Sequence, residues 1–162
     1  FVEAPNPERF VTGIAGKCDF SIVTVSKKGL SGAVGTLRAI LEVFENNSIP
    51  VAHTPSGIDC ISLAMPTEAL TPNQYSLLDE LRSEIRPDSI QINDHIAVIA
   101  VVGRKMAFRV GTSGKIFAAL GKAGINIRMI SQGPDEQAII LGVDNKDYAD
   151  AIRVLYNNAF VK

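Results

Sequence analysis

Residues 111–115 (Gly-Thr-Ser-Gly-Lys) are the part of this 162-residue sequence that comes nearest to a nucleotide-binding motif. A phosphate-binding loop requires the pattern Gly-x-x-x-x-Gly-Lys-Ser/Thr, because its backbone amides cradle the phosphates and its hydroxyl binds Mg²⁺. Here Arg109 stands at the first glycine position, and Ile116 stands where the hydroxyl is required. The segment therefore predicts no phosphate loop.

Histidines, carboxylates and thiols also fall short of a catalytic pattern. His53 and His95 belong to no metal-ligand spacing such as His-x-x-x-His. Asp59 and Asp135 each follow a turn, where aspartate commonly bonds to the backbone, and no second carboxylate is placed beside either. The only cysteines, Cys18 and Cys60, are too few for a disulfide framework or a four-ligand zinc site, so we expect free thiols in a reducing cytoplasm. We predict neither a catalytic nor a metal site in this chain.

Composition excludes further classes of function. The net charge of −1 lacks the basic footprint of a nucleic-acid-binding protein, and no apolar run is long enough to cross a membrane. An RNA-recognition module needs exposed aromatic residues on its central strands, whereas residues 22–25 and 139–141 contain none. A hydrophobic content of 46% is ample for a packed core. We expect a cytoplasmic protein with no nucleic acid or membrane partner.

The segments with functional promise are two glycine-containing loops, residues 26–35 and residues 103–111, each between a predicted strand and a predicted helix. Glycine lets backbone amides turn toward a guest, and the start of a helix favours a carboxylate. Residues 51–53 and 126–127 are expected to border the same pockets and to offer carbonyl groups to an ammonium. A small amino acid carries both charges. The alternative interpretation is that these loops are only flexible connectors.

A repeat at an offset of 76 residues determines how these loops are built. Val34-Gly35 recurs as Val110-Gly111, and Asp59 recurs as Asp135. Ile49-Pro50-Val51 likewise recurs as Ile125-Asn126-Ile127. A repeat of this length is a whole small domain rather than a turn of a solenoid. The sequence therefore predicts two copies of one module.

Hydrophobic periodicity predicts the order β-α-β-β-α-β in the first copy, which is the ferredoxin-like arrangement. A helix is expected to open at Ser31 or Gly32, and Pro66 and Pro72 are expected to bracket a loop. The predicted strands are residues 20–25, 49–53, 60–65 and 89–93, and the second predicted helix spans residues 73–85.

The second copy is predicted to lack its fourth strand. Its strands are expected at residues 96–102, 125–130 and 137–143, and its helices at residues 111–123 and 147–158. Residues 11–15 are strand-like but precede the first copy, so we predict that they complete the second sheet. The expected domains are residues 18–94, and residues 11–16 together with 95–162, the first inserted into the second.

Three segments resemble the regulatory half of aspartate kinase, a region that contains two ACT domains. They are residues 11–15 (Val-Thr-Gly-Ile-Ala), 53–59 (His-Thr-Pro-Ser-Gly-Ile-Asp) and 124–133 (Gly-Ile-Asn-Ile-Arg-Met-Ile-Ser-Gln-Gly). The resemblance extends from Thr12 to Phe160 and implies an α+β fold of two ferredoxin-like ACT domains. Residues 1–10 would then be a linker from a kinase domain that precedes this chain.

The resemblance also implies a function. In this family the parent enzyme phosphorylates the side-chain carboxylate of aspartate with ATP, in lysine, threonine and methionine biosynthesis. ATP and Mg²⁺ belong to the kinase domain, so no cofactor is expected in this chain. ACT domains pair within and between chains, which implies a homodimer. A free amino acid, lysine first and threonine second, is expected to bind between paired domains and to inhibit the chain's own kinase domain.

Effector-binding residues are carried over from the family position by position. In the first copy they are Val25, Ser26, Lys28, Gly29, Leu30, Gly32, Ala33, Val34, Val51, Ala52, His53, Ser56, Gly57, Ile58 and Asp59. In the second copy they are Met106, Val110, Asn126, Ile127 and Gln132.

One residue departs from the pattern of lysine-inhibited relatives. They often have an acidic residue where this chain has Ala52, which would pair with the ligand's ammonium. Backbone carbonyls or Asp59 would have to replace it. The alternative hypothesis is a structural ACT-type dimerisation module without a functional effector site.

Overall fold

Alternating apolar and β-branched residues form two 14-residue strands, β1 (Gly13–Ser26) and β3 (Ser89–Val102). The structure is a computed structural model that describes residues 11–103, 106–134 and 137–160. The sequence predicts two separate strands in place of each, and that prediction is wrong. Gly16 lies within β1 and does not end it. A Cβ at this position would lie only 2.6 Å from the Tyr148 ring, so the ring can pack here only against a glycine. The glycine permits a close approach instead of breaking the strand.

The chain divides into two units, which we call the central unit (residues 19–95) and the terminal unit (the residues before 19 and after 95). Both long strands change unit at the division. In the order β2-β1-β3-β5-β4, the central unit uses β2 and parts of β1 and β3. The terminal unit uses the other parts of β1 and β3 with β5 and β4.

The central unit follows β1 with helix α1 (Thr36–Asn46) and strand β2 (Cys60–Pro66), which pairs antiparallel with β1. Helical segments α2 (Thr67–Leu70) and α3 (Gln74–Glu80) come next. A 3-10 turn, Thr71–Asn73, joins α2 to α3, and a π-helical turn, Leu81–Ile85, follows α3. The predicted loop between Pro66 and Pro72 is therefore wrong, because proline is compatible with the first turn of a helix, where its missing N–H is not needed.

The core of the central unit lies between one face of its strands and the helices. Val23 and Val25, two residues apart on β1, share a cluster with Ile40 and Phe44 of α1 and with Leu77 of α3. Both helices thus cover the same face, as the ferredoxin-like arrangement requires.

The terminal unit contains α4 (Thr112–Lys122), β4 (Ile127–Ser131), β5 (Ala138–Asp144) and α5 (Tyr148–Phe160). Strand β5 pairs antiparallel with both β3 and β4. At the N-terminal side, the Thr12 amide donates to the Val102 carbonyl at 2.7 Å, and Val11 is fully buried in this unit's core. The segment before β1 therefore packs beside β3. The predicted α+β class with ferredoxin-like units is confirmed.

The two units repeat in detail, but the offset changes partway along. Residues 20–26 and 96–102 have the same sequence of buried and half-buried positions at an offset of 76. Strands β2 and β5 also share one burial pattern, yet their offset is 78. The Lys27 amide bonds to the Asp59 carbonyl at 2.9 Å, and the Gly103 amide bonds to the Gln137 carbonyl at 2.8 Å. Gln137 is therefore the structural equivalent of Asp59. The predicted equivalent, Asp135, lies outside the described residues.

Residues 49–53 do not form the predicted strand, although the equivalent segment of the terminal unit forms β4. Only single bridges, His53 to Ala64 and Ser56 to Ile61, connect this segment to β2. Proline cannot donate to a strand ladder. The central unit has Pro50 and Pro55 where the terminal unit has Asn126 and Ser131, so its ladder is interrupted.

Helix α1 begins at Thr36, not at Ser31 or Gly32 as predicted. A short 3-10 turn, Leu30–Gly32, comes first, and Gly35 then adopts a left-handed conformation with φ of 85°. In the terminal unit Gly111 has φ of 84° immediately before α4. Left-handed backbone is disfavoured for residues with a Cβ. A glycine therefore sets the direction in which each helix starts.

Replacing Gly111 with alanine should lower the free energy of unfolding by about 1–2 kcal/mol, since alanine is strained at positive φ. Gly121→Ala is the matched control in the same helix, because Gly121 has no positive φ and open space around its Cα. That control should raise the free energy of unfolding by about 0.5–1 kcal/mol. Urea unfolding of both variants gives the comparison. Shifts of the same sign in the two variants would contradict the assignment.

Candidate functional site

A cavity of about 320 Å³ opens at the start of α4 in the terminal unit. Its volume lies at the lower end of the range for small-molecule sites, about 300–1,000 Å³. Two stretches of chain form its walls, the approach to α4 and the segment after β4. The lining residues are Met106, Arg109, Gly111, Thr112, Ser113, Gly114, Gln132, Gly133 and Pro134.

Backbone hydrogen bonds hold the approach to α4 in a compact turn. The Arg109 amide donates to the Met106 carbonyl at 3.3 Å, and the Thr112 hydroxyl donates to the Arg109 carbonyl at 3.0 Å. Met106 and Thr112 are each 3% exposed, so they fix the inner wall, whereas Arg109 is exposed. The cavity thus combines an apolar wall, a guanidinium and the amide donors of a helix start, which together suit a small anionic or zwitterionic guest.

Two of the predicted effector-binding residues, Met106 and Gln132, are among the residues that line this cavity. Val110 is fully exposed and is not among the lining residues. Asn126 is exposed before β4, and Ile127 packs partly against the core, so neither forms the wall. Arg109 and residues 111–114 (Gly-Thr-Ser-Gly) line the cavity but were not among the predicted site residues. Their partial resemblance to a phosphate loop could have identified them as a possible anion-binding segment.

In the central unit, two carboxylates bind the loop that follows β1. The Gly29 amide donates to Asp59 Oδ1 at 2.9 Å, and the Lys28 amide donates to Asp88 Oδ2 at 2.7 Å. The Lys27 ammonium donates to the Ile85 carbonyl at 2.5 Å. The structure therefore brings the loop and Asp59 together. Asp88, before β3, was not among the predicted residues.

The other predicted residues of the central unit occupy four environments. Val25 is fully buried in the core, with Leu30 and Val51 packed against the same cluster. Ser26 is half-buried at the end of β1. Ser56 and Gly57 adjoin β2, and a Cβ at Gly57 would lie 2.8 Å from Cys60 Sγ. Gly32, Ala33, Val34, Ala52 and Ile58 are exposed, as are Ser56 and Gly57.

His53 lies on the far edge of β2 from β1, because Ala64 pairs with Ile22 on one side and with His53 on the other. Residues 51–53 are therefore separated from β1 by β2. Burial lowers the pKa of His53 below its usual value of 6.5, since desolvation disfavours the charged form. A neutral His53 offers one donor and one acceptor at neutral pH.

Two further classes of site are absent from the described part of the chain. No three side chains of His, Cys, Asp or Glu lie together as a metal site there. Within the same residues, no helix has the length and apolar character needed to cross a membrane.

Comparison with known proteins agrees with this architecture. A family model described as ACT domain matches residues 99–159. Aspartokinase 3 of Bacillus subtilis is 30% identical over 151 residues, which cover 93% of this chain and 33% of that protein. The aspartate kinase of Clostridium acetobutylicum, a solved structure, is 38% identical with a TM-score of 0.88, covering 92% of this chain and 34% of that one.

A third comparison concerns the fold alone. Aspartokinase III of Escherichia coli, solved in complex with lysine and aspartate in its T-state, is 22% identical with a TM-score of 0.79. The match covers 98% of this chain and 35% of that one. This chain therefore spans about a third of the length of each of these three proteins.

Fold, repeat and family match together define an ACT-domain protein. Within that class, the chain belongs with the ACT regulatory regions of the aspartokinases, and the resemblance predicted from the sequence is confirmed.

The pKa of His53 predicts a pH dependence of stability. Because the folded pKa lies below the unfolded value of 6.5, the unfolded chain binds more protons just below that pH, and stability should fall as pH decreases. His53→Gln should reduce this loss. Urea unfolding of the two proteins at about pH 7.5 and about pH 5 measures it. An equal loss of stability in both proteins would contradict the prediction.

Proposed function

We propose that this chain is an allosteric sensor that binds a free amino acid and inhibits an attached aspartokinase domain. Lysine is the favoured effector and threonine the second. The cavity at the start of α4 is the observation that carries the proposal. Two of the residues that the family resemblance assigns to the effector, Met106 and Gln132, line this cavity.

The chemistry of the cavity suits an amino acid better than a simple anion. The Arg109 guanidinium and the amides at the helix start attract a carboxylate. The Gln132 side chain and nearby carbonyls offer acceptors for an ammonium. Met106 supplies an apolar wall against which the aliphatic part of a lysine or threonine side chain would pack.

Inhibition requires that the effector bind more tightly to one state of the whole protein than to another. A coupling free energy of about 1–3 kcal/mol is typical for such systems. The attached kinase domain would bind ATP, Mg²⁺ and aspartate, and it would respond to the effector without sharing the effector's site. The proposal includes assembly as a homodimer through the ACT domains, in which the effector would stabilise one arrangement of the paired domains over another.

One observation supports lysine as the first effector to test, and another weighs against it. The E. coli aspartokinase III structure contains lysine as well as aspartate, and that protein shares this fold. The absence of an acidic residue at Ala52 weighs in the other direction, since an ammonium would lose a charged partner there. The threonine side chain is uncharged and needs no charged partner, so threonine is the appropriate comparison.

A structural dimerisation module without an effector site is the alternative function. The exposed apolar side chains at the start of α1, Val34 and Leu37, are the observation that favours it. Such a module would assemble equally well with or without amino acids. Sizing of the chain at several protein concentrations, with and without lysine, separates the two functions.

Arg109→Ala should weaken the binding of lysine or threonine about tenfold or more, because it removes a charge-assisted hydrogen bond to the carboxylate. Arg82→Ala is the matched control, since Arg82 is an exposed arginine on the other unit that lies 3.7 Å from Asp79. Titration calorimetry of the wild type and both variants measures the affinities. No heat from either amino acid up to about 10 mM would refute effector binding.

A further inference from the structure

We propose that Asp59 and Asp88 are positioning residues of the central unit, which hold the loop after β1 in one conformation and thereby set how tightly that loop binds an amino acid. The inference rests on the proposed function, because the loop carries residues that the family resemblance assigns to the effector. Asp59 then contacts the backbone of the loop, and the ligand's ammonium requires another partner.

Asp88 binds the loop at two points. Its amide donates to the Ser26 carbonyl at 2.8 Å, and its carboxylate accepts from the Lys28 amide at 2.7 Å. The second bond is charge-assisted, and such bonds are stronger than bonds between neutral groups. Because the two contacts lie on either side of Lys27, Asp88 fixes the path of the chain where β1 ends.

The segment that carries Asp88 is itself fixed by local chemistry. Proline disfavours the helical conformation in the residue before it, and Arg86, before Pro87, is left-handed with φ of 52°. The π-helical turn ends at Ile85, whose side chain is buried in the core of the central unit. The last carbonyls of a helix need partners from outside it, and the Ile85 carbonyl accepts from the Lys27 ammonium. Asp88 thus extends from a segment that is anchored in the core.

Asp59 binds the same loop from the segment before β2. Its carbonyl accepts from the Lys27 amide at 2.9 Å, and its carboxylate accepts from the Gly29 amide at 2.9 Å. The next residue, Cys60, pairs with Ser26 of β1. The loop is therefore attached to two segments, one before β2 and one before β3. Each attachment combines a backbone contact with a carboxylate.

These contacts favour a positioning role over competition with the ligand. The loop continues into a 3-10 turn, in which the Leu30 amide donates to the Lys27 carbonyl at 3.1 Å and the Gly32 amide donates to the Gly29 carbonyl at 3.2 Å. The aspartates thus hold the residues on which that turn is built. A ligand that displaced an aspartate would exchange one carboxylate for another with no net gain of hydrogen bonds. Binding with both aspartates in place is therefore favoured.

The two carboxylates act on affinity through the fraction of time that the loop holds its binding conformation. The apparent dissociation constant equals the intrinsic constant divided by that fraction. A loop that is ordered beforehand also loses less conformational entropy when the ligand arrives. Since both aspartates are exposed, each carboxylate bond has a modest effect, and we expect changes of about fivefold.

The test compares alanine with asparagine at each position, because asparagine keeps a side-chain oxygen that accepts from an amide but carries no charge. In ¹⁵N-resolved NMR titrations of the 162-residue chain with lysine or threonine, the Gly32 amide signal reports on the central-unit loop. Asp88→Ala and Asp59→Ala should each weaken its response about fivefold, whereas Asp88→Asn and Asp59→Asn should stay within about twofold of the wild type. The Gly111 signal of the terminal unit should respond as in the wild type throughout.

Hydrogen exchange gives a second readout, which needs no ligand. The Lys28 amide should exchange about fivefold faster in Asp88→Ala, and the Gly29 amide should do so in Asp59→Ala, because each loses its carboxylate partner. Asp79→Ala, which removes an exposed carboxylate from α3, is the control and should change neither exchange nor affinity. Urea unfolding verifies that each variant folds.

Four results would overturn the inference and leave the proposed function intact. Tighter binding in the alanine variants would show that the aspartates compete with the ligand, and unchanged binding would show that they do not affect it, whatever the exchange rates. Equal losses with asparagine and alanine would indicate that the charge acts on the ligand directly. A wild-type response at Gly111 without one at Gly32 would show that the central-unit loop binds no amino acid.

Two further results complete the test. A loss at Gly111 as large as that at Gly32 would indicate an effect on the whole chain, and it would also overturn the positioning role. If lysine and threonine shift neither signal in the wild type, the proposed function is refuted and the inference fails with it.

Discussion

The left-handed glycine between the first strand and the first helix is the constraint on which each unit depends. Gly35 and Gly111 hold nearly the same φ, 85° and 84°, at equivalent positions of the repeat. That turn aims the helix back across the strands, so that Ile40 of α1 and Ile116 of α4 reach their cores. A residue with a Cβ would resist the turn by about 1–2 kcal/mol. Small units bury a limited share of their surface on folding, so such a cost is large for them.

Most of the fold could be predicted from sequence because the repeat and the hydrophobic periodicity point to the same arrangement. The failures have local physical causes. Pro50 and Pro55 interrupt a strand whose hydrophobic pattern is otherwise sound, so the pattern alone predicted too much. Glycine is typical of a strand end, but Gly16 lies within β1 and packs against the Tyr148 ring. Only the folded chain reveals that contact. Two extra residues after β4 change the offset, so the repeat at 76 residues matched Asp59 to Asp135, although the structural equivalent of Asp59 is Gln137.

The candidate site was less predictable than the fold, because it depends on contacts between residues that are distant along the chain. Residue types at the strand-to-helix loops indicated donors for a carboxylate, and Met106 and Gln132 do line the cavity. Sequence could not reveal that Asp88, distant along the chain, binds the Lys28 amide. A glycine-rich loop is equally consistent with an open site and with one closed by the chain's own side chains. Only the hydrogen-bond partners of its amides distinguish the two.

Duplication offers a physical reason why the loops of the two units differ in charge although their cores agree. Core positions such as Val25 and Val101 are fully buried in both units, and changes there cost stability through cavities or overpacking. Exposed positions such as Asp59 and Gln137 are usually free to change within about 0.5 kcal/mol. Two copies can therefore retain one backbone while their loops diverge in charge.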